Sequence, residues 1–168
     1  GYKNFFTYKS THSDTQRLMI FHYAVIGVAM PNGSSGRGEI WGNDFMVTFA
    51  TFAKWGSSAA ESGTFMHELG HNLGLRHGGL VDDTPENNAT RKPNFASVMN
   101  YRYQFPLVSI DCNFVSDNVL TYSQGILEPV TESGVTETAG ICDNAPLDMN
   151  GDMMISVASP AMDTNSDG

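Results

Sequence analysis

Basic residues are scarce in this sequence. It has 9 lysines and arginines against 18 aspartates and glutamates among 168 residues, so its formal net charge is −9. A chain of this charge repels polyanions, which argues against nucleic acid and anionic membranes as partners. The sequence also lacks an apolar run long enough to span a bilayer. Its length suits one domain with a real core, and its acidity is compatible with bound divalent cations.

One segment, HELGHNLGLRH, concentrates the chemistry of the chain. His67 and His71 are four residues apart, so a helix would place both imidazoles on one face, where they can bind one metal ion. Gly74 allows the helix to end and the chain to turn, which would bring His77 to the metal as a third ligand. Three histidines leave one tetrahedral position for water, the arrangement of catalytic zinc. Glu68 adjoins the first ligand, where its carboxylate can polarise that water.

The pattern H-E-x-x-H-x-x-G-x-x-H resembles the signature of the metzincin metallopeptidases. Metzincins carry a second element, a Met-turn beneath the metal, and the sequence SVMNY at residues 97–101 fits it. In the astacin-like and serralysin-like branches, the residue two after the methionine is a tyrosine that can reach the zinc, and Tyr101 has that position. The resemblance covers residues 58–101. The residue after the third histidine is often diagnostic of the branch, but here it is Gly78, so the branch is left unassigned.

The resemblance implies a zinc-dependent endopeptidase. Zinc held by the three histidines would activate a water molecule, with Glu68 acting first as general base and then as general acid. Tyr101 would be a fifth zinc ligand at rest and would donate a hydrogen bond to the oxyanion during the reaction. The alternative for this side chain is a packed aromatic near the site. Met99 would provide an apolar floor under the ligands.

Residue patterns predict several elements before the motif. Residues 1–16 are mixed and polar, which favours a loop or a short helix start. β-Branched and aromatic residues predict a buried strand in the second half of residues 17–30 and another strand over residues 44–53. His22 lies in the first of these runs and is interpreted as a packed or edge histidine. Residues 38–42 are predicted to form a short edge strand that could pair with an extended peptide.

The motif itself is predicted to lie on a helix. Ser57 or Ser58 is a suitable N-cap, and Glu61 completes a capping-box pattern with Ser58. The helix should continue to about Leu73. Phe65, Leu69, Asn72 and Leu73 are expected to face the core or its margin, while His67 and His71 face the cleft.

The resemblance implies an α/β (α+β) fold with a single catalytic domain over residues 1–168. A twisted mixed sheet and the active-site helix would form an upper lobe, about residues 1–77. A loop-rich lower lobe, about residues 78–168, would supply the Met-turn. A protein or peptide substrate would bind in extended form along the edge strand. The resemblance implies a secreted protein, and we expect a monomer. The chain opens with GYKN and shows no leader, so a secreted protein would be present here in its mature or trimmed form.

The sequence contains two cysteines, Cys112 and Cys142. They could form one disulfide or remain as two buried thiols. The disulfide is favoured because peptidases of this type work outside the cell, where the setting is oxidising.

The C-terminal part of the sequence has two copies of the pattern D-x-N-x-D. Alternating Asp and Asn oxygens resemble the first half of a calcium-binding loop, and a flexible acidic tail is the alternative. The residues of the two copies are Asp148, Asn150, Asp152, Asp163, Asn165 and Asp167.

Two other functions compete with the peptidase. One is a catalytically silent zinc-binding or adhesion module, but a structural zinc site does not need the carboxylate of Glu68. The other is a protease fragment of a larger, toxin-like protein whose targeting depends on other domains.

Overall fold

The structure is a computed structural model that describes residues 4–49, 58–79, 92–105, 120–123 and 136–138, and residues 127, 130, 146, 154 and 155. Both cysteines and all six residues of the predicted calcium sites lie outside the described residues. The chain divides into two compact units, Gly1–Leu75 and Arg76–Gly168. None of the described helices is long and apolar enough to cross a membrane.

The first unit has a mixed α+β architecture. Its elements, in chain order, are α1 (Phe5–His12), a 3-10 turn (Arg17–Met19), β1 (Tyr23–Gly27), β2 (Gly36–Gly38), β3 (Asp44–Thr48) and α2 (Ser58–Asn72). The strands form one sheet in the order β1-β3-β2, with β1 parallel and β2 antiparallel to β3. The predicted α+β class with a mixed sheet is confirmed, and the architecture is compatible with a metzincin-like fold.

Helix α1 replaces the loop or short helix start predicted for residues 1–16. Its inner face is attached to the sheet at two points. The ring of Phe5, which is buried, packs edge-on against Tyr23 with centroids 5.5 Å apart. The ammonium group of Lys9 forms an ion pair with the buried carboxylate of Asp44. These contacts with distant strands fix a helix that its own polar residues do not predict.

The central strand β3 is buried along most of its length, since only Met46 is partly accessible. Strand β1 alternates between half-buried and exposed residues, as expected for a strand at the edge of a sheet. Both strands were predicted from their β-branched and aromatic residues. No residue of β1 is fully buried, so the prediction of a buried strand there is wrong. Strand β1 ends at Gly27 and β3 at Thr48, and the predicted strand residues 50–53 lie outside the described residues. The 3-10 turn at Arg17–Met19 precedes the predicted strand.

The second edge strand lies at Gly36–Gly38, so the predicted position of this strand, residues 38–42, is wrong. After Gly38 the chain leaves the sheet. The amide of Glu39 donates to the carbonyl of Asp44 at 3.1 Å, and Trp41 has a φ of 59°, which no strand residue adopts. Residues 39–43 therefore form the connection to β3.

Helix α2 confirms the predicted helix almost to its ends. Its buried face carries Ala60, Thr64, His67 and His71, at the spacing of an α-helix. Phe65 and Leu73 lie at the margin rather than in the core, with 40% and 49% of their area exposed, and the ring of Phe65 packs edge-on against Phe45 of β3 with centroids 4.9 Å apart.

In the second unit the described core is the Met-turn region. Residues 96–100 are buried, and Met99 has no exposed surface. The amide of Val98 donates to the carbonyl of Thr121 at 2.7 Å, and the side-chain amide of Asn100 donates to the carbonyl of Phe95 at 2.9 Å. The phenol of Tyr103 donates to the carbonyl of Pro93.

Candidate metal centre

Two of the predicted ligands lie one helical turn apart on α2. His67 is 2% exposed and His71 is 8% exposed, so both imidazoles are withdrawn from bulk water. Their ring centroids are 4.8 Å apart and the rings are nearly perpendicular. The i, i+4 spacing of a helix brings two side chains together in this way without help from any other element.

The end of the helix brings in the third histidine. The amide of Leu75 donates to the carbonyl of Gly70, and the amide of Gly74 donates to the carbonyl of His71, both at 2.9 Å. This pair of bonds, with a positive φ of 92° at Gly74, defines a Schellman ending. A glycine tolerates this backbone conformation, and the chain reverses there toward His77 as the sequence predicts.

The same ending also orients the second ligand. The Nδ1 atom of His71 lies 2.9 Å from the carbonyl oxygen of Leu75. Because a carbonyl can only accept, Nδ1 carries the proton and Nε2 is the nitrogen whose lone pair can bind a metal. A metal-binding histidine needs this tautomer, and a backbone carbonyl is a usual partner for its other nitrogen.

Nitrogen atoms from His67, His71 and His77 all lie within 4.8 Å of one another. Within the described ranges of the chain, no other group of three or more His, Cys, Asp or Glu residues could hold a metal ion. With zinc–nitrogen distances of about 2.0–2.1 Å, tetrahedral ligands lie roughly 3.3–3.4 Å apart, so small side-chain rotations suffice to close the set around one ion. Three imidazole nitrogens on one continuous stretch of chain therefore fit Zn²⁺.

Glu68 is buried beside this cluster, with 4% of its area exposed. Burial raises the pKa of its carboxyl to about 8, and a backbone hydrogen bond from Gly38 offsets part of that rise. A cation held by the neighbouring imidazoles would favour the ionised form. The position suits a carboxylate that exchanges protons rather than one that binds metal.

The edge strand β2 lies directly on this carboxylate, which the sequence did not predict. A Cβ atom at Gly36 would overlap the Glu68 carboxylate, 2.6 Å from its Cδ, and a Cβ atom at Gly38 would lie 2.6 Å from the Glu68 carbonyl oxygen. Both distances are far below a carbon contact, so the strand approaches the helix this closely because these residues are glycines. The G-x-G pattern at residues 36–38 was the available signal.

Asn72, between the second and third histidines, is buried as expected, but its hydrogen-bonding role was missed. Its side-chain nitrogen donates to the carbonyls of Glu39 at 2.8 Å and Asp44 at 2.9 Å. Its side-chain oxygen lies 3.0 Å from Nδ1 of His22. Asn72 therefore joins the metal-binding helix to the loop after β2 and to the start of β1. His22 itself is exposed and lies just before β1, outside the strand.

Trp41 is the other residue that sequence reasoning missed. Its amide donates to the carbonyl of His71 at 3.1 Å. Its indole lies over Gly74, where a Cβ atom would be 2.5 Å from Cε2 and Cζ2. A bulky residue at a φ of 59° is strained, and the indole is also 68% exposed. The loop after β2 is therefore in contact with the turn between two of the ligands.

In the second unit, Tyr101 lies beside the third histidine. Its ring centroid is 4.6 Å from that of His77, with the planes inclined by 54°, and the side chain is 45% exposed. The side chain therefore contacts both His77 and solvent. Metal binding by Tyr101 remains a prediction, as does the position of Met99 beneath the metal ligands.

Comparisons with known proteins bear on this site. Residues 4–78 match the family model described as metallo-peptidase family M12B, reprolysin-like. This part of the chain is metallopeptidase-like. The match includes α2 and all three histidines but ends before Tyr101, and it does not support the astacin-like or serralysin-like branch that Tyr101 suggests. Neither the curated proteins nor the solved structures gave a match.

Proposed function

We propose that the protein is a zinc-dependent endopeptidase of the metzincin type. The observation that carries the proposal is the cluster of three histidine nitrogens within 4.8 Å, with the buried Glu68 adjoining the first of them. The match of residues 4–78 to a metallopeptidase family model, which includes the three histidines, also supports the proposal. A structural metal site would not need a carboxylate withdrawn from water at this position.

Zinc, when bound, supplies a Lewis acid that lowers the pKa of a water ligand and polarises the carbonyl of the substrate. Glu68 takes a proton from the attacking water and later delivers it to the departing amine. Its burial suits both steps, because a carboxyl whose pKa is raised toward neutrality holds and releases a proton near working pH. Tyr101 donates a hydrogen bond to the developing oxyanion, a role supported by its contact with His77 and its exposed position.

The substrate binds in extended form along the free side of β2. This strand pairs with β3 on one side. One backbone group of β2, the Gly38 amide, already donates to Glu68, so a peptide strand would bond to the remaining backbone groups of this edge. The proposal is supported by the contact of Gly36 and Gly38 with Glu68, since a peptide on this edge would lie near the carboxylate. We further propose that the protein acts outside the cell as a monomer.

The test is casein hydrolysis by the wild type and by Glu68→Ala, with zinc content measured for both. The matched control is Glu61→Ala, the same substitution at an exposed carboxylate in the first turn of the same helix. We expect Glu68→Ala to retain about one zinc and to lose activity by on the order of 10²–10⁴-fold, the usual contribution of a general base. Glu61→Ala should keep wild-type activity.

Two outcomes would contradict the proposal. Full activity in zinc-loaded Glu68→Ala would remove this carboxylate from the mechanism. A zinc-loaded wild type that cuts neither casein nor a random peptide library would instead indicate the silent zinc-binding module.

A further inference from the structure

The first unit contains a cavity away from the histidine cluster. It has a volume of about 500 Å³, within the range of small-molecule sites. It lies where the end of α1, the 3-10 turn and the start of β1 meet. The lining residues that matter below are His12, Asp14, Arg17, Leu18, Phe21 and His22.

Opposite charges line this cavity without neutralising each other. The amide of Arg17 donates to the carbonyl of Asp14 at 2.9 Å, so both residues belong to one turn. One carboxylate oxygen of Asp14 accepts from the amide of Gln16 at 2.9 Å, and the other accepts no hydrogen bond from the described residues. Within the part of the chain that the structure describes, no ion pair joins Asp14 to Arg17, although Lys9 and Asp44 do form one. A ligand with both charges could therefore satisfy the two side chains at once.

The two histidines add acceptors rather than donors. Nδ1 of His12 lies 3.0 Å from the carbonyl oxygen of Tyr8, so that nitrogen must carry the proton. For His22 the partner is the side-chain oxygen of Asn72, whose identity is fixed because the amide nitrogen donates to two backbone carbonyls. His22 therefore also donates through Nδ1. Each neutral ring retains an Nε2 lone pair, which seeks an N–H group.

A metal ion does not explain these acceptors. Over the described ranges, the histidine cluster of the candidate metal centre is the sole group of three suitable residues close enough to share an ion. The remaining chemistry is a guanidinium for an anion, a carboxylate and imidazole nitrogens for a cationic N–H group, and the apolar side chains of Leu18 and Phe21 beside them.

We propose that this cavity binds a small zwitterion, namely an α-amino acid with an apolar side chain. Its carboxylate pairs with Arg17, its ammonium group bonds to Asp14 and to one imidazole nitrogen, and its side chain lies against Leu18 and Phe21. The site is separate from the metal centre and does not depend on the proposed peptidase activity.

The test is calorimetric titration of the zinc-loaded protein with L-phenylalanine and two analogues. L-Phenylalaninamide lacks the carboxylate, and N-acetyl-L-phenylalanine lacks the ammonium group. We expect each analogue to bind at least about tenfold more weakly than the amino acid, because each loses a charge-assisted hydrogen bond. Arg17→Gln should weaken L-phenylalanine by a similar factor but leave the amide analogue unchanged. Asp14→Asn should do the same with the N-acetyl analogue.

The control is Arg37→Gln, which removes the same charge from β2, outside this cavity. Both cavity substitutions are at exposed positions, and asparagine retains the acceptor for Gln16, so the variants should fold. Equal binding of L-phenylalanine by wild type and Arg17→Gln would overturn the proposal. So would binding that survives both cavity substitutions but disappears when zinc is removed, since the amino acid would then be chelating the metal. Absence of saturable binding at millimolar concentrations would also refute it.

Discussion

Replacing Gly74 by alanine should damage the metal centre through the contact with Trp41. The substitution adds one methyl group at the Schellman ending of α2, between the second and third histidines. The backbone there has a φ of 92°, and the added carbon would lie 2.5 Å from two atoms of the indole. The change therefore combines backbone strain with a steric overlap.

The size of each effect can be worked out separately. A non-glycine residue with positive φ is destabilised by about 1–2 kcal/mol. Carbon atoms pack at about 3.5–4.0 Å, so the indole must retreat by roughly 1 Å or the turn must open. Overpacking of this kind costs about 1–3 kcal/mol, and the lower half applies because Trp41 is 68% exposed and can move toward water. The free energy of unfolding of the metal-free protein should fall by about 2–4 kcal/mol.

The chain provides a control for the strain alone. Gly33 has a φ of 74°, and a Cβ atom there would meet no atom within 4 Å. Gly33→Ala should therefore cost only the backbone part, about 1–2 kcal/mol. Urea unfolding measures both losses, and competition with a chelator measures zinc affinity. If at least about 1.4 kcal/mol of this destabilisation acts on the metal centre, zinc affinity should fall by about tenfold or more in Gly74→Ala. Zinc affinity should not change in Gly33→Ala.

A double-mutant cycle decides whether the indole is responsible. In a Trp41→Ala background, the loss caused by Gly74→Ala should shrink to the value of Gly33→Ala, since the overlapping ring is gone. If Gly74→Ala has the same effect with and without the indole, the reasoning from this contact is wrong.

Three further changes test other parts of the structure, each by urea unfolding. Asn72→Ala leaves two backbone carbonyls without their donor and should destabilise the protein by about 2–4 kcal/mol, whereas a loss below about 0.5 kcal/mol would mean that water replaces the amide. Lys9→Met leaves the buried carboxylate of Asp44 without its ionic partner, so we expect the free energy of unfolding to fall by about 3–5 kcal/mol. An unchanged stability would contradict the ion pair. Burial raises the pKa of Tyr103 to about 12, so between pH about 10 and 12 the unfolded chain loses this proton and the folded chain keeps it. Stability should then fall by about 2–3 kcal/mol over that range, and the fall should be smaller in Tyr103→Phe.

The parts of the site that sequence predicts are those whose geometry is local. His67 and His71 meet because of helical spacing, and Gly74 turns the chain because glycine tolerates positive φ. The ending that orients His71 through the carbonyl of Leu75 is also local. Each of these relations spans a few residues, so a pattern of residue types is enough to specify it.

The contacts that sequence did not predict join residues far apart in the chain. Trp41 reaches Gly74, and Asn72 reaches His22 across fifty positions, and neither pair has a repeating pattern that would reveal it. The position of β2 was predicted wrongly for a related reason. Strand-forming residues at positions 39–41 favoured a later strand, but the pairing with β3 and the close approach to Glu68 select the glycine-rich segment before them.

The close approach of β2 to α2 also constrains which substitutions β2 can accept. Substitutions at Gly36 and Gly38 collide with Glu68, while the side chain between them, Arg37, is exposed and alternates to the other face. In a saturation library selected for activity, the two outer positions should return glycine and the middle position should accept many residues. Sequence variation in β2 would then be confined to alternate positions, and the two glycines would be retained together.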